Sequence, residues 1–329
     1  MEKVASLTGK EREEIFRVAD AELNMGLAIT EKDFWVCWTL KRIFETPELA
    51  SKVLFKGGTS LSKCFGLIDR FSEDIDLILD WRLVTDKDPH AVRSNTQQDK
   101  FNKEIKNATE QYIESSLLAL VSSALNSHCS VRIDSKSTNS IFINYPKAFS
   151  SSYIKPEIEL EIGALSTKDP HGEFVIEPYC AKPVPEPFEN PQQRVKAIAA
   201  KKTFWDKITI LHAEAHRPEK KEHPQRYSRH YYDLYKMLKS DVKNEALSDL
   251  KLLKATIEFK DKFYPQGWAN YRGAKEGVYK LTPEEHTRKH LVEDYSQMSE
   301  MIFGDYPPFN QILEEISKFN IVLNKALKP

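Results

Sequence analysis

Residues 53–79 read VLFKGGTSLSKCFGLIDRFSEDIDLIL, and no other stretch of the chain narrows the fold as much. Val53, Leu54 and Phe55 predict a short buried strand. Lys56-Gly57-Gly58-Thr59-Ser60 breaks it. The glycines reach backbone conformations closed to other residues, and Thr59 or Ser60 can cap a helix start. The spacing of Leu61, Cys64, Phe65 and Ile68 predicts that helix over 61–68, and Asp74 to Leu79 predicts a second strand.

Alternate side chains of a strand share a face, so Asp74 and Asp76 point the same way, about 7 Å apart. Two carboxylates so placed repel each other unless a cation lies between them. Carboxylates on an otherwise apolar strand suit Mg²⁺, which takes oxygen ligands and keeps positions open for water and substrate phosphates. The Gly57-Gly58 turn offers backbone N–H groups to an anion. An anion cradle beside a metal-binding carboxylate pair is what transfer from a nucleoside triphosphate requires.

KGGTSLSK followed by RFSEDIDL resembles the polymerase-beta-like nucleotidyltransferase superfamily, and within it the AbiEii/AbiGii toxins of bacterial toxin–antitoxin and phage-abortive systems. It is not a Walker P-loop, because no GxxxxGK[ST] occurs and the lysine precedes the glycines. The resemblance implies an α+β fold: a mixed sheet flanked by helices, followed by a mostly helical C-terminal domain. More residues separate Gly58 from Asp74 than in the minimal superfamily pattern, and a longer intervening helix would absorb them.

Composition sets limits on the rest. With 48 Lys+Arg against 49 Asp+Glu the net charge is −1, so any contact with RNA rests on a local patch. No apolar run approaches a membrane span, and the charged N-terminus predicts a helix rather than a signal peptide. Cys37, Cys64, Cys129 and Cys180 show no CxxC spacing, which fits reduced thiols in a cytoplasmic protein.

In chain order, Thr8 and Glu11 form a capping-box pattern ahead of a helix over about 8–26. Phe34, Trp38 and Ile43 predict a helix packed on the sheet, opening with Glu31-Lys32-Asp33. A long helix over 96–126 and a hairpin with strands at 131–134 and 140–145 follow. Glu157-Ile158-Glu159-Leu160-Glu161-Ile162-Gly163 alternates as a strand with glutamates on one face, by default a solvated one. The resembling family carries a carboxylate two residues before a Gly-Ala pair. Glu161 matches that position and is the candidate third metal ligand, with Glu159 as runner-up.

The prolines between 178 and 191 mark a boundary between a core over 1–185 and a helical domain over 186–329. Residues 194–213 predict one helix. Within it, TFWDKITILH resembles the family's second signature and places its lysine at Lys207. RHYYDLY resembles the third, placing an essential aspartate at Asp233, with Arg229 and His230 beside it as phosphate or base contacts. The same spacing allows a plain Arg229–Asp233 ion pair. The basic loop from Arg217 to Arg229 can track a phosphate backbone, and Trp268 or Tyr271 can stack on a base or pack in the core.

The resemblance thus implies Mg²⁺-dependent transfer of a nucleoside monophosphate from an NTP. Asp74, Asp76 and Glu161 would hold metal, and Lys56, Gly57, Gly58, Thr59, Ser60 and Arg229 would bind nucleotide. Lys207 would offset charge on pyrophosphate, and Asp233 would hold Lys207 in place or contact the nucleotide, the helical domain contributing both to the cleft. It implies the tRNA 3′ end as acceptor and an antitoxin as partner. Nucleotidylation of a protein, or sequestration of GTP without turnover, are the alternatives.

Overall fold

Strand β1 (Val53–Lys56) and strand β2 (Ile75–Leu79) form where their composition predicts, in a computed structural model that describes residues 1–126 and 128–328. They are joined in one sheet by β3 (Ser130–Asp134), β4 (Ser137–Asn144), β5 (Ile158–Gly163), β6 (His171–Ile176) and β7 (Gln193–Ile198). The strand order is β3-β4-β5-β2-β1-β7-β6. β2 runs parallel to β5, and β1 parallel to β7, while the remaining pairs are antiparallel. The expected mixed sheet flanked by helices is therefore present. The chain divides into two units, Met1–Phe65 with Phe71–Ile198, and Gly66–Arg70 with Ala199–Pro329.

The single helix expected over 194–213 is a strand followed by a helix. β7 ends at Ile198, and the helix spans Ala200–Glu214. Along β7, Val195 and Ala197 are buried while Arg194 and Lys196 are exposed. That two-residue alternation pairs β7 with β6 and β1, and the downstream Phe204, Trp205 and Ile208 periodicity masks it in the sequence.

The helix after the glycines also differs from expectation. It runs Gly57–Lys63, with Lys56 as its N-cap and no side-chain cap from Thr59 or Ser60. No longer helix fills the interval before Asp74. Residues 66–70 instead belong to the second unit.

The first unit is closed by the helix Leu27–Glu45, which buries Phe34, Trp35, Val36, Trp38 and Leu40 completely. Phe34 meets Phe16 and Phe188, and Trp35 stacks on Tyr145. The preceding helix, Gly9–Leu23, has the expected capping box between Thr8 and Glu11.

Three consecutive charged residues of the 27–45 helix are also buried, and each ties down a different segment. Glu31 accepts from the backbone N–H groups of Ala148 and Phe149. Lys32 donates to Glu73 at 2.8 Å and to the Lys155 carbonyl at 3.0 Å. Asp33 pairs with Lys63 at 2.8 Å and accepts from the Tyr179 N–H. Buried charge is tolerated only when paired and hydrogen-bonded. Through Lys32 this helix fixes the residue just before Asp74, and through Asp33 the end of the glycine-turn helix.

The second unit is mostly helical, built on Ala200–Glu214, Ser228–Leu238, Leu250–Phe263, Glu285–Gln297 and Phe309–Ala326. Phe204 packs on Phe319, and Tyr231 on Phe309. The 66–70 segment is held by a bridge between Arg70 and Ile302 and by the Phe303 N–H on the Asp69 carbonyl. No described helix is long and apolar enough to cross a membrane. All four cysteines are free thiols.

Lys32→Met strands the Glu73 carboxylate in the core, and urea unfolding should show a loss of roughly 3–5 kcal/mol. The double variant Lys32→Met/Glu73→Gln removes both charges and should recover most of that loss. Equal losses in the single and double variants would show that the pair is not what holds this segment.

Candidate active site

Register decides which side chains meet. β1 places Lys56 opposite Asp76, β2 places Asp76 beside Glu161, and β5 places Glu161 opposite Ser140. Residues opposite one another in a ladder point to the same face. Lys56, Asp76, Glu161 and Ser140 therefore form one row across four strands. The adjoining row carries Asp74 and Glu159. There Ser140 donates to Glu159 at 2.9 Å, and the Lys155 ammonium lies 2.9 Å from Glu159 and 3.5 Å from Asp74.

The glycine turn closes on this row. Gly57 has φ +85°, and a Cβ placed on it would lie 1.9 Å from Asp76 Oδ2. Only a residue without a side chain brings the backbone so close to that carboxylate, and the positive φ independently favours glycine. Gly58 follows it in the first turn of the helix.

Thr59 and Ser60 are also at the turn, but their hydroxyls are engaged with backbone. Thr59 donates to the carbonyls of Ser72 and Asp74, and Ser60 donates to the Gly57 carbonyl at 2.9 Å. Both side chains are buried. Thr59 thus anchors the chain entering Asp74 to the turn.

The electrostatics of the face are unfavourable for its own carboxylates. Glu161 reaches solvent, yet desolvation by its surroundings and then the charge of Asp76 push its carboxyl above the usual range, against the opposing pull of Lys56. Desolvation likewise raises Asp74, with Glu73 and Glu159 adding to the shift and Lys155 opposing it. Of the two glutamates considered for the third ligand, Glu161 is the one in register with Asp76. Glu159 is taken by Ser140 and Lys155.

Among the described residues, no three histidine, cysteine, aspartate or glutamate side chains are arranged as a ready metal cage. The donor set nevertheless fits Mg²⁺. It is all oxygen, it is short of charge compensation, and the Gly57 backbone lies directly against Asp76. Mg²⁺ is commonly held by one or two carboxylates, with water and substrate phosphates completing the shell.

In the second unit, the two signature residues meet each other. Asp233 is fully buried and takes a two-pronged contact from Arg70, Nε to Oδ1 at 2.7 Å and a terminal nitrogen to Oδ2 at 2.8 Å. Lys207 donates to Asp233 Oδ2 at 2.6 Å and lies 2.9 Å from His230 Nδ1. Burial works against ionisation of Asp233, but Arg70 and Lys207 outweigh it and hold the carboxyl well below the usual range. Burial, aided by the Lys207 charge, keeps His230 neutral. The Arg229–Asp233 pair allowed by helical spacing does not form, because Arg70 and Lys207 occupy the carboxylate.

Arg70 was not legible as the partner of Asp233. It lies far from Asp233 in sequence and carries no periodic signal. Lys155 was equally hidden, in an irregular segment before Pro156. The basic loop offers less than its sequence suggests. Arg217 is buried against Glu214 at 2.8 Å and stacks over Trp268, and Tyr271 is core.

A family profile described as nucleotidyl transferase AbiEii toxin, type IV toxin–antitoxin system, matches residues 38–315. Among solved structures, MenT4, a nucleotidyltransferase toxin from Mycobacterium tuberculosis H37Rv, is similar at 13% identity and TM-score 0.45, with 98% of each chain covered. No curated protein matches the chain.

Gly57→Ala should cost roughly 1–2 kcal/mol in urea unfolding from its positive φ alone. It should also displace Asp76 and weaken divalent-ion binding measured by calorimetry; unchanged binding would contradict the close approach. A raised carboxyl pKa in the folded state contributes stability below the unfolded pKa and loses it as pH rises through the folded value. Glu161→Gln should therefore melt above the parent protein at neutral pH without metal, the gap closing as pH falls through the carboxylate range. A gap that widens on acidification would refute the assigned repulsion.

Proposed function

The chain belongs to the AbiEii nucleotidyl transferase toxins of type IV toxin–antitoxin systems, and on that premise we propose that it transfers a nucleoside monophosphate from an NTP to the 3′ end of tRNA, using Mg²⁺. The observation that carries this reading is the row Lys56–Asp76–Glu161 with the Gly57 backbone against Asp76. A row of carboxylates that repel one another beside a bare backbone turn suits a cation and a polyphosphate together.

Asp74, Asp76 and Glu161 are the residues that would hold Mg²⁺, which when bound would supply positive charge to offset that of the triphosphate. The backbone N–H groups of Gly57 and Gly58, with Lys56, would orient the phosphates. The acceptor hydroxyl oxygen forms a bond to the α-phosphorus. The bond from that phosphorus to the β-bridging oxygen breaks, and pyrophosphate leaves with the electron pair. Glu161 would complete the clamp or orient the attacking hydroxyl, whose proton passes to solvent. Thr59 and Ser60 hold the turn through their backbone contacts rather than meeting phosphate.

Asp233 acts as a positioning residue, since both its oxygens are committed to Arg70 and Lys207. An antitoxin protein would restrain the activity in the cytoplasm, and growth arrest during phage infection is the role that family membership suggests.

The test is incubation with each labelled NTP, Mg²⁺ and total RNA. Label should appear at tRNA 3′ ends and fall at least about a hundredfold in Asp76→Ala, the scale of losing a preorganised transition-state contact. Label in protein would move the acceptor to a polypeptide. Transfer that survives Asp76→Ala would remove the mechanism. Asp233→Asn requires a folding control, because it leaves Arg70 and Lys207 facing a neutral group in a buried site.

A further inference from the structure

One cation on the carboxylate face has no part in the proposed chemistry. Lys155 places its ammonium 2.9 Å from Glu159 and 3.5 Å from Asp74. Its backbone is clamped on both sides. The Lys155 N–H donates to Glu73 at 2.9 Å, and its carbonyl accepts from Lys32 at 3.0 Å. Lys32 and Glu73 are themselves a buried pair on the 27–45 helix and the residue before Asp74. The main chain at 155 is thus tied to the residue before Asp74, while its side chain is not held by the backbone contacts. That side chain is 40% exposed, so solvent lies open for it to swing into.

An ammonium and a divalent ion cannot share one carboxylate edge without repelling each other. Asp74 is desolvated and crowded by Glu73 and Glu159, so in the absence of metal it needs a nearby positive charge. A lysine on a flexible four-carbon stem supplies one that can be withdrawn, unlike the rigid fork of an arginine.

We propose that Lys155 is a built-in placeholder for the divalent cation: it neutralises Asp74 and Glu159 in the metal-free protein, must leave Asp74 when the ion binds, and so sets the affinity of the site. This rests on Asp74 being a metal ligand, as read above. The consequence is a site that loads metal more weakly than its carboxylates alone would, and that stays compact when empty. Clamping through Lys32 and Glu73 makes the 27–45 helix the support of the device.

Mn²⁺, followed by electron paramagnetic resonance on the full chain without nucleotide, tests it with a readout independent of activity. Partly exposed ion pairs contribute little each, so Lys155→Met should bind Mn²⁺ roughly fivefold tighter than the parent. Lys155→Arg keeps the charge and should bind no tighter than the parent. Without metal, Lys155→Met should melt lower, and saturating Mn²⁺ should raise its melting temperature by more than it raises the parent's. Unchanged or weaker Mn²⁺ affinity in Lys155→Met, with binding abolished in Asp74→Asn, would overturn the placeholder while leaving the metal site standing. Mn²⁺ binding that persists in Asp74→Asn would overturn both.

Discussion

Repulsion among carboxylates on the β2–β5 face is the constraint around which the first unit is built. Asp74, Asp76, Glu159 and Glu161 are brought together by a parallel strand pairing. Nothing in the local preferences of those residues favours this, since like charges on neighbouring strands are destabilising. The apolar faces of the same strands make it possible. Ile75, Leu77, Ile158, Leu160 and Ile162 are buried on the other side of the sheet, and they set a register that the carboxylates must accept. The remaining features manage the consequence. Lys155 answers Asp74 and Glu159, Thr59 pins the approach to Asp74, and Lys32 neutralises Glu73 so that it does not add an unpaired charge.

The helical unit handles buried charge in the opposite way. Asp233 is surrounded by Arg70 and Lys207, with neutral His230 on the far side of the lysine. The carboxylate is more than compensated, which is why it stays ionised despite complete burial. The excess there is positive, where the excess on the sheet face is negative.

The sequence made the local pattern legible and the long-range pairing illegible, for physical reasons. The carboxylate alternation at 74–76 and 157–161 follows from a two-residue period, and β2 and β5 form as that period demands. Which of Glu159 and Glu161 faces Asp76 depends on a two-residue choice of register, which keeps the same face inward and which no residue in either strand encodes alone. Glu161 was singled out by family resemblance, and the ladder places it there. The glycine turn was expected to extend into a longer helix. Residues 66–70 instead join the second unit, where Arg70 meets Asp233, and no periodicity reports a contact across so many residues. β7 was hidden because its alternation is only six residues long and runs into a strongly helical stretch. The buried run Glu31-Lys32-Asp33 was legible as a helix start and illegible as three separate clamps, because its partners lie far away along the chain.

Charge compensation separates the acidic residues that hold the fold from those available to a ligand. Glu31, Asp33, Glu73 and Asp233 are buried, and each is met by a cation or by backbone N–H donors. Removing any of them leaves an unpaired partner in the interior, so loss of function on substitution would follow from misfolding alone. Glu161 differs. Its nearest compensation is Lys56, which fails to offset desolvation and the Asp76 charge, and its carboxyl remains raised. A protein gains no stability by keeping such a group facing Asp76, whereas a glutamine there would relieve the repulsion. The acid that the metal-free fold disfavours thus sits in register with Asp76, beside a glycine whose missing Cβ admits the backbone to that carboxylate.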